Sequence, residues 1–410
     1  MIIKGVDAKT ILDSRKEKTI LVSIKTNVGE FDASSPSGKS TGKYEAKSYH
    51  ENIERDIKTI KQLSEYFSEE LIEKFDDLRR IEDIVDRQIG ANTLFAFESA
   101  ALKAIASEKS KDFSRGRQEN CHPEETKKEV WELINSSAKK LPRLIGNCVG
   151  GGEHSSIARK PDFQEFLLMP ESKSVEKAFE INKRIKKEIK EILSREDKKF
   201  NGERNDEDAW AVSLTEKEVL DILKKTKLPL GIDIAASTFY KRKNYNYKNP
   251  IFKRSKEEQF EYISNLIKNF NLYYVEDSFD ENDFESFAKL IKRFPDRLIV
   301  GDDLTTTNPE RLKKAIKMKS INAIIIKPNQ IGSLIRMKET IELAKKNNIK
   351  IVFSHRSGET EEDILADLAF GFQADFIKTG ICGTGRDEKL DRLIEIENSL
   401  KTVQIQKNTS

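Results

Sequence analysis

Between residues 228 and 380 a short apolar run leads six times into a charged or polar residue, and a turn or helix-patterned stretch follows each time. The runs are Leu-Pro-Leu-Gly-Ile-Asp233, Leu-Tyr-Tyr-Val-Glu276, Leu-Ile-Val-Gly-Asp302, Ala-Ile-Ile-Ile-Lys327, Ile-Val-Phe-Ser-His355 and Ala-Asp-Phe-Ile-Lys378. Parallel strands buried on both faces read as continuous apolar runs of this kind. Two more runs, Leu144 to Val149 and Phe163 to Met169, lie upstream with no helix between them, and long helical patterns open at Ser174 and Thr215. Eight strands in series with helices predict an irregular eight-stranded α/β (TIM-like) barrel. An open doubly wound sheet is the alternative, and the strand count disfavours it.

The pattern upstream is different. Thr19 to Thr26 alternates like a strand, Asn27-Val28-Gly29 reads as a turn and Glu30 to Ser34 as the return. Residues 50 to 107 switch to helical periodicity and end in Asn92 to Leu102, which is apolar enough to be a buried helix. Strands followed by helices predict a small α+β unit over residues 1–137, a lid or cap, with the barrel over 138–410. Ser107 to Glu125, where Gly116, Asn120 and Pro123 stand among many charges, is the expected linker.

A length of 410 residues accommodates a barrel of about 250 residues and one smaller domain. Charged residues make up 35% of the chain, yet 73 basic and 70 acidic residues nearly cancel, so net charge indicates no nucleic-acid partner. The lysine-rich stretch from Asn182 to Lys199 is interleaved with Glu188 and Glu191 and reads as a solvated helix face. No apolar run reaches the ~18 residues of a membrane span, and Met-Ile-Ile-Lys-Gly is not a signal-peptide start; a cytoplasmic location is the expectation. Cys121, Cys148 and Cys382 lack Cys-x-x-Cys spacing and are given no chemistry, Cys148 being read as a small core residue.

In an α/β barrel the C-terminal strand ends line the active-site face. Asp233, Glu276 and Asp302 come from three successive ends, and an all-carboxylate set suits a hard divalent ion such as Mg²⁺. Lys327 must start from a buried strand, and an amine that is partly desolvated near a metal has its pKa pulled down and serves as a general base. Ser354-His355-Arg356-Ser357-Gly358 places an imidazole, a guanidinium and hydroxyls in one turn, which suits phosphate or carboxylate recognition. Together these groups point to metal-assisted proton abstraction. Pro36 to Gly42 lacks phosphate-loop spacing and is read as a glycine-rich lid from the small domain. Gly150-Gly151-Gly152-Glu153-His154 is a second flexible loop, and Gln164-Glu165 and Asp206-Glu207-Asp208 add further carboxylates.

These segments together resemble the enolase family, from Ile11-Leu12-Asp13-Ser14-Arg15 to Leu393-Ile394-Glu395-Ile396-Glu397. Ser354 to Thr360, Asp302 to Pro309, Asn329-Gln330-Ile331-Gly332 and Ala33 to Gly38 match its motifs in order and spacing. The resemblance implies that Asp233, Glu276 and Asp302 bind one Mg²⁺ and that Ser40 joins a second once substrate is present. It implies that Lys327 removes the C2 proton of 2-phosphoglycerate, while Glu207, helped by Glu165, protonates the departing hydroxyl. His154, Gln164, Arg356, Ser357 and Lys378 would hold the substrate, and His355 would support the site. It further implies a small phosphorylated 2-hydroxy acid as partner and a homodimer or an assembly of dimers. Alternatives are a family lyase acting on another 2-hydroxy acid and an inactive enolase-like binding protein, the latter disfavoured because every metal and base position is present.

The sequence also departs from the family pattern. Asp206-Glu207-Asp208-Ala209-Trp210 stands where two glycines usually follow Asp-Glu, so Asp208 is expected to raise the pKa of Glu207 by repulsion and the loop to lose φ > 0 freedom. About two extra residues near Arg159-Lys160-Pro161 lengthen the loop between His154 and Glu165. Lys16-Glu17-Lys18 replaces Gly-Asn-Pro, Ser278 replaces a proline, and Pro328 after the base favours extended geometry at Lys327.

Overall fold

The computed structural model describes residues 1–39, 41–115 and 129–409. The chain opens as a three-stranded antiparallel sheet of β1 (Ile3–Leu12), β2 (Lys18–Thr26) and β3 (Glu30–Ser34). β2 and β3 are the anticipated hairpin. β1 pairs along the whole of β2, with Leu12 opposite Lys18, and was not read from the sequence because Gly5, Asp7, Lys9 and Thr10 dilute its apolar alternation. Ile20, Val22 and Ile24 of β2 share a core with Phe97, Ala100, Ala101 and Ala104 of the helix Ala91–Arg115, the buried helix expected at 92–102. That helix continues to Arg115, which overturns the linker over 107–115: a charged run is equally compatible with a helix. The rest of the expected linker, 116–125, and Cys121 lie outside the described residues.

The barrel begins with β4 (Arg143–Gly150) and β5 (Glu165–Leu168). The helices Val175–Glu196 and Glu216–Lys224 follow, separated by the short β6 (Trp210–Ala211). Ser174 caps the first helix through Lys177 N–H, and Thr215 with Glu218 forms a capping box on the second, where the sequence placed their starts. β7 (Leu230–Asp233) leads into a small antiparallel sheet of β8 (Tyr240–Lys241), β9 (Asn244–Lys248) and β10 (Ile251–Arg254). Then β11 (Tyr274–Glu276), β12 (Leu298–Gly301), β13 (Ala323–Ile326), β14 (Lys350–Ser354) and β15 (Phe376–Lys378) alternate with helices.

β15 pairs with β4, which closes an eight-stranded barrel, and β6 is an outlying strand on β4. β5 runs antiparallel to both β4 and β7, while the other barrel pairs are parallel. This is the irregularity that the missing helix predicted, since parallel neighbours require a long crossover and antiparallel ones do not. Ile145, Leu167, Tyr274, Val300, Ile325 and Val352 fill the barrel interior, whereas Ile324 and Ile326 belong to the larger core outside it. The two-residue period of a strand is thus present but hidden, because both faces are apolar.

Candidate active site

Asp233, Glu276 and Lys378 are the last residues of β7, β11 and β15, and Lys327 and His355 follow β13 and β14 directly. Asp302 stands one position beyond Gly301, the end of β12. Barrel closure brings all six to one rim. Lys378 Nζ lies 2.9 Å from Glu276 Oε2, 3.1 Å from Asp233 Oδ2 and 3.2 Å from Glu165 Oε1. Lys327 pairs with Asp302 Oδ2, and Gln330 Nε2 donates to Asp302 Oδ1 at 3.1 Å. The backbone at Lys327 is extended (φ −116°, ψ 101°), as Pro328 predicted.

A cleft with about 280 Å³ of empty space opens on this rim. His154, Gln164, Glu165, Glu207, Lys327, His355, Arg356 and Ser357 line it, so eight of the anticipated residues meet at one place. Glu207 lies between two imidazoles, His154 Nδ1 at 3.7 Å and His355 Nε2 at 3.9 Å, and accepts from Asn147 Nδ2 at 2.9 Å. His154 Nδ1 is also 2.8 Å from Asp206 Oδ1. The lid reaches the cleft by pairing Ser37 with Gly358, and Lys39 N–H donates to Ser357 Oγ at 2.9 Å. Gly38 lies against the Arg356 guanidinium. Ser40 is outside the described residues.

Electrostatics separate the two cleft carboxylates. Burial and the adjacent Glu207 charge push Glu165 well above the usual carboxylate range. Burial also acts to raise Glu207, but His154, His355, Arg386 and Lys378 outweigh it and hold Glu207 far below that range. The expectation that Asp208 raises Glu207 is therefore corrected. The Asp208 carboxylate is taken up by Lys186 at 2.6 Å and by Arg204, and the residue adopts φ 64°, a left-handed conformation that aspartate tolerates better than most side chains. Burial lowers His355 well below its ordinary value, whereas Glu207 and Asp206 raise His154 against the effect of burial.

Lys327 is paired with one of the strand-end carboxylates, Asp302. Burial acts to lower its pKa, but the contact with Asp302 outweighs burial and raises it. The pairing with Asp302 holds the Lys327 amine at the rim.

Carboxylates are the ligand type that a hard divalent ion takes. Glu276 Oε1 is buried and without a hydrogen-bond partner, on a residue flanked in register by Asp233. Among the described residues, the ligand-type groups whose atoms already converge within 4.8 Å are Asp277, Asp302 and Asp303, and separately His154, Glu165 and Glu207. Of these, Asp302 alone was an anticipated metal ligand. Asp277 is occupied with backbone, accepting from Asp302 N–H at 3.1 Å and Asp303 N–H at 2.7 Å, so it shapes the turn that presents Asp302. Acidic groups able to hold a metal are thus present on this rim.

Four contributors escaped the sequence reading. Asn147 holds Glu207 from inside β4, a strand read only for its apolar residues. Arg386 is buried and donates to the carbonyls of Asp206 and Ser357, each at 3.2 Å, tying the two loops together; an arginine just past the glycines after β15 was its signal. Glu45 pairs with Arg356 at 3.0 Å, and Arg15 donates to Ser357 Oγ at 3.3 Å. Neither has a local signature, because both act across domains.

Comparison with known proteins agrees with this arrangement. A family model described as "Enolase, N-terminal domain" matches residues 3–115, and one described as "Enolase, C-terminal TIM barrel domain" matches residues 138–408. A Pyrobaculum aerophilum protein named Enolase is 43% identical over 274 residues, covering 64% of this chain and 65% of that relative. Enolases of Methanosphaera stadtmanae and Picrophilus torridus are 36% and 33% identical, each over 97% of this chain and over 97% and 99% of their own lengths. With both domains matched in order and the strand-end residues gathered on one rim, the chain belongs to the enolase family.

Proposed function

We propose that the protein is a hydro-lyase that dehydrates 2-phosphoglycerate to phosphoenolpyruvate, the glycolytic and gluconeogenic step, with Mg²⁺. The observation that carries this reading is the meeting in one cleft of a strand-end lysine, a pair of carboxylates with opposed proton affinities, and the Arg356–Ser357 turn.

In this reading Arg356 and Ser357 grip the phosphate, and Gln164 and His154 orient the rest of the acid. Lys327 takes the C2 proton, which is weakly acidic because its loss places a second negative charge on the neighbouring carboxylate. Asp233, Glu276 and Asp302 would hold the metal, with Ser40 joining a second ion, and bound Mg²⁺ would offset that developing charge as a Lewis acid. Glu165 and Glu207 form the donor pair for the departing hydroxyl: Glu165 holds the proton, and Glu207 stays ionised between its histidines. His355, whose imidazole burial pushes well below its ordinary value, packs beside Glu207. Lys378 neutralises Asp233, Glu276 and Glu165 and keeps three acids together on one rim.

The division into a 1–137 cap and a 138–410 barrel and assembly as a homodimer belong to the same reading, supported by the two family models and by the family resemblance. Among the described residues no helix is long and apolar enough to cross a membrane. The test is direct: purified protein, Mg²⁺ and 2-phosphoglycerate, with phosphoenolpyruvate followed by absorbance. Lys327→Ala and Glu207→Gln are each expected to lose about 10²- to 10⁴-fold in kcat. No turnover by the intact chain refutes the function, and an undiminished Lys327→Ala refutes the mechanism.

A further inference from the structure

A second cleft, with about 960 Å³ of empty space, opens between the 151–162 loop and the β8–β9 hairpin. It shares no lining residue with the catalytic cleft. Arg159 and Lys160 reach it from the loop, and Lys241 and Lys248 from the hairpin. Among the described residues none of these four cations forms an ion pair with a carboxylate. The sequence from Ile234 to Lys256 contains no acidic residue at all.

Two acids face the cleft, Glu153 and Asp162. Asp162 is a poor counter-charge, because burial raises its pKa and its oxygens accept from the backbone N–H groups of Lys248 and Asn249, each at 2.9 Å. Glu153 is exposed. Burial holds the Lys160 amine below its ordinary value; Glu153 and Asp162 act against this shift, and the Lys248 and Lys39 ammoniums act with it. Surface lysines that only solvate a fold gain by spreading apart or pairing with acids. Here they converge on a concave wall, where each one raises the electrostatic free energy of the others until an anion enters.

We infer that this cleft is a second anion-binding site, separate from the catalytic one, that takes a small phosphate-bearing molecule between Arg159, Lys160, Lys241 and Lys248. Tetrahedral oxyanions suit this wall, since lysines supply point charges from several directions and Arg159 a planar donor fork.

The site can be tested without reference to turnover, using inorganic phosphate as the probe and calorimetry at fixed ionic strength set with chloride. In full-length protein carrying Arg356→Gln, which silences the phosphate grip of the catalytic cleft, one phosphate is expected still to bind. Adding Lys241→Gln and Lys248→Gln is expected to weaken that binding at least tenfold with the circular dichroism spectrum unchanged. Should Arg356→Gln fail to fold, the same lysine pair in the otherwise intact chain is expected to reduce the stoichiometry from two phosphates to one. The proposal is overturned if Arg356→Gln abolishes all phosphate binding, if the lysine substitutions leave affinity or stoichiometry unchanged, or if chloride displaces phosphate at equal concentration.

Discussion

Gly38→Ala is expected to lower kcat/KM about a hundredfold while leaving the fold intact. A Cβ at this position would stand 1.9 Å from Arg356 Nη2 and 2.7 Å from its Cζ. The guanidinium is not free to move aside: Nη1 donates to Asn329 Oδ1 at 3.0 Å, and Nη2 reaches both Glu45 oxygens at 3.0 and 3.1 Å. Either the lid lifts from the cleft or Arg356 leaves Glu45. Hydrogen bonds to charged groups contribute about 1.5–3 kcal/mol each, so losing one or two amounts to about 3 kcal/mol. At 1.36 kcal/mol per factor of ten, that is about a hundredfold in transition-state binding. Gly38 does not occupy the left-handed region, so alanine brings no backbone strain, and the lid can yield without opening the barrel core. The assay is steady-state kinetics on 2-phosphoglycerate beside a thermal melt. A variant with kcat/KM within threefold of the parent would refute the close seating of the lid on Arg356.

Glu216 offers a pH test, because burial raises its carboxyl from 4.5 to about 7. The folded chain then binds more protons than the unfolded one between those values, so this residue's contribution is fully present below 4.5 and is lost as pH rises through 7. Glu216→Gln, whose Oε1 can still accept from Asp162 N–H, should stabilise the chain at pH 8 by up to about 3 kcal/mol and leave it unchanged at pH 4. Equal denaturant midpoints for the two chains at pH 8 would count against it. Lys378→Met leaves Asp233, Glu276 and Glu165 without their shared cation, and is expected to cost about 3–5 kcal/mol of stability, read by denaturant unfolding without added metal. Chelation of divalent ions is expected to stop turnover and added Mg²⁺ to restore it; turnover indifferent to chelator would remove Asp233, Glu276 and Asp302 from the metal role.

The barrel strands were legible because each is buried on both faces, so its apolar run is uninterrupted and its polar terminus conspicuous. Ser174 and Thr215 were legible as helix starts because capping is local chemistry within three residues. β1 was not, since its polar positions break the run, and neither was the β8–β10 insertion, whose strands are two to five residues long. In the site, residue types and strand-end positions were legible, but the protonation states were not. Glu207 shifts opposite to expectation, because the deciding neighbours, His154, His355 and Arg386, are far away in sequence.

What this sequence determines by itself is therefore the set of elements and the chemical groups at their ends, both encoded in short-range patterns of burial and capping. The tertiary structure alone decides which charges face one another: that Asp208 turns to Lys186 and Arg204 and away from Glu207, that Glu45 meets Arg356, and that four cations converge on a second cleft. Electrostatic free energy depends on distance and burial in space, and chain order carries neither.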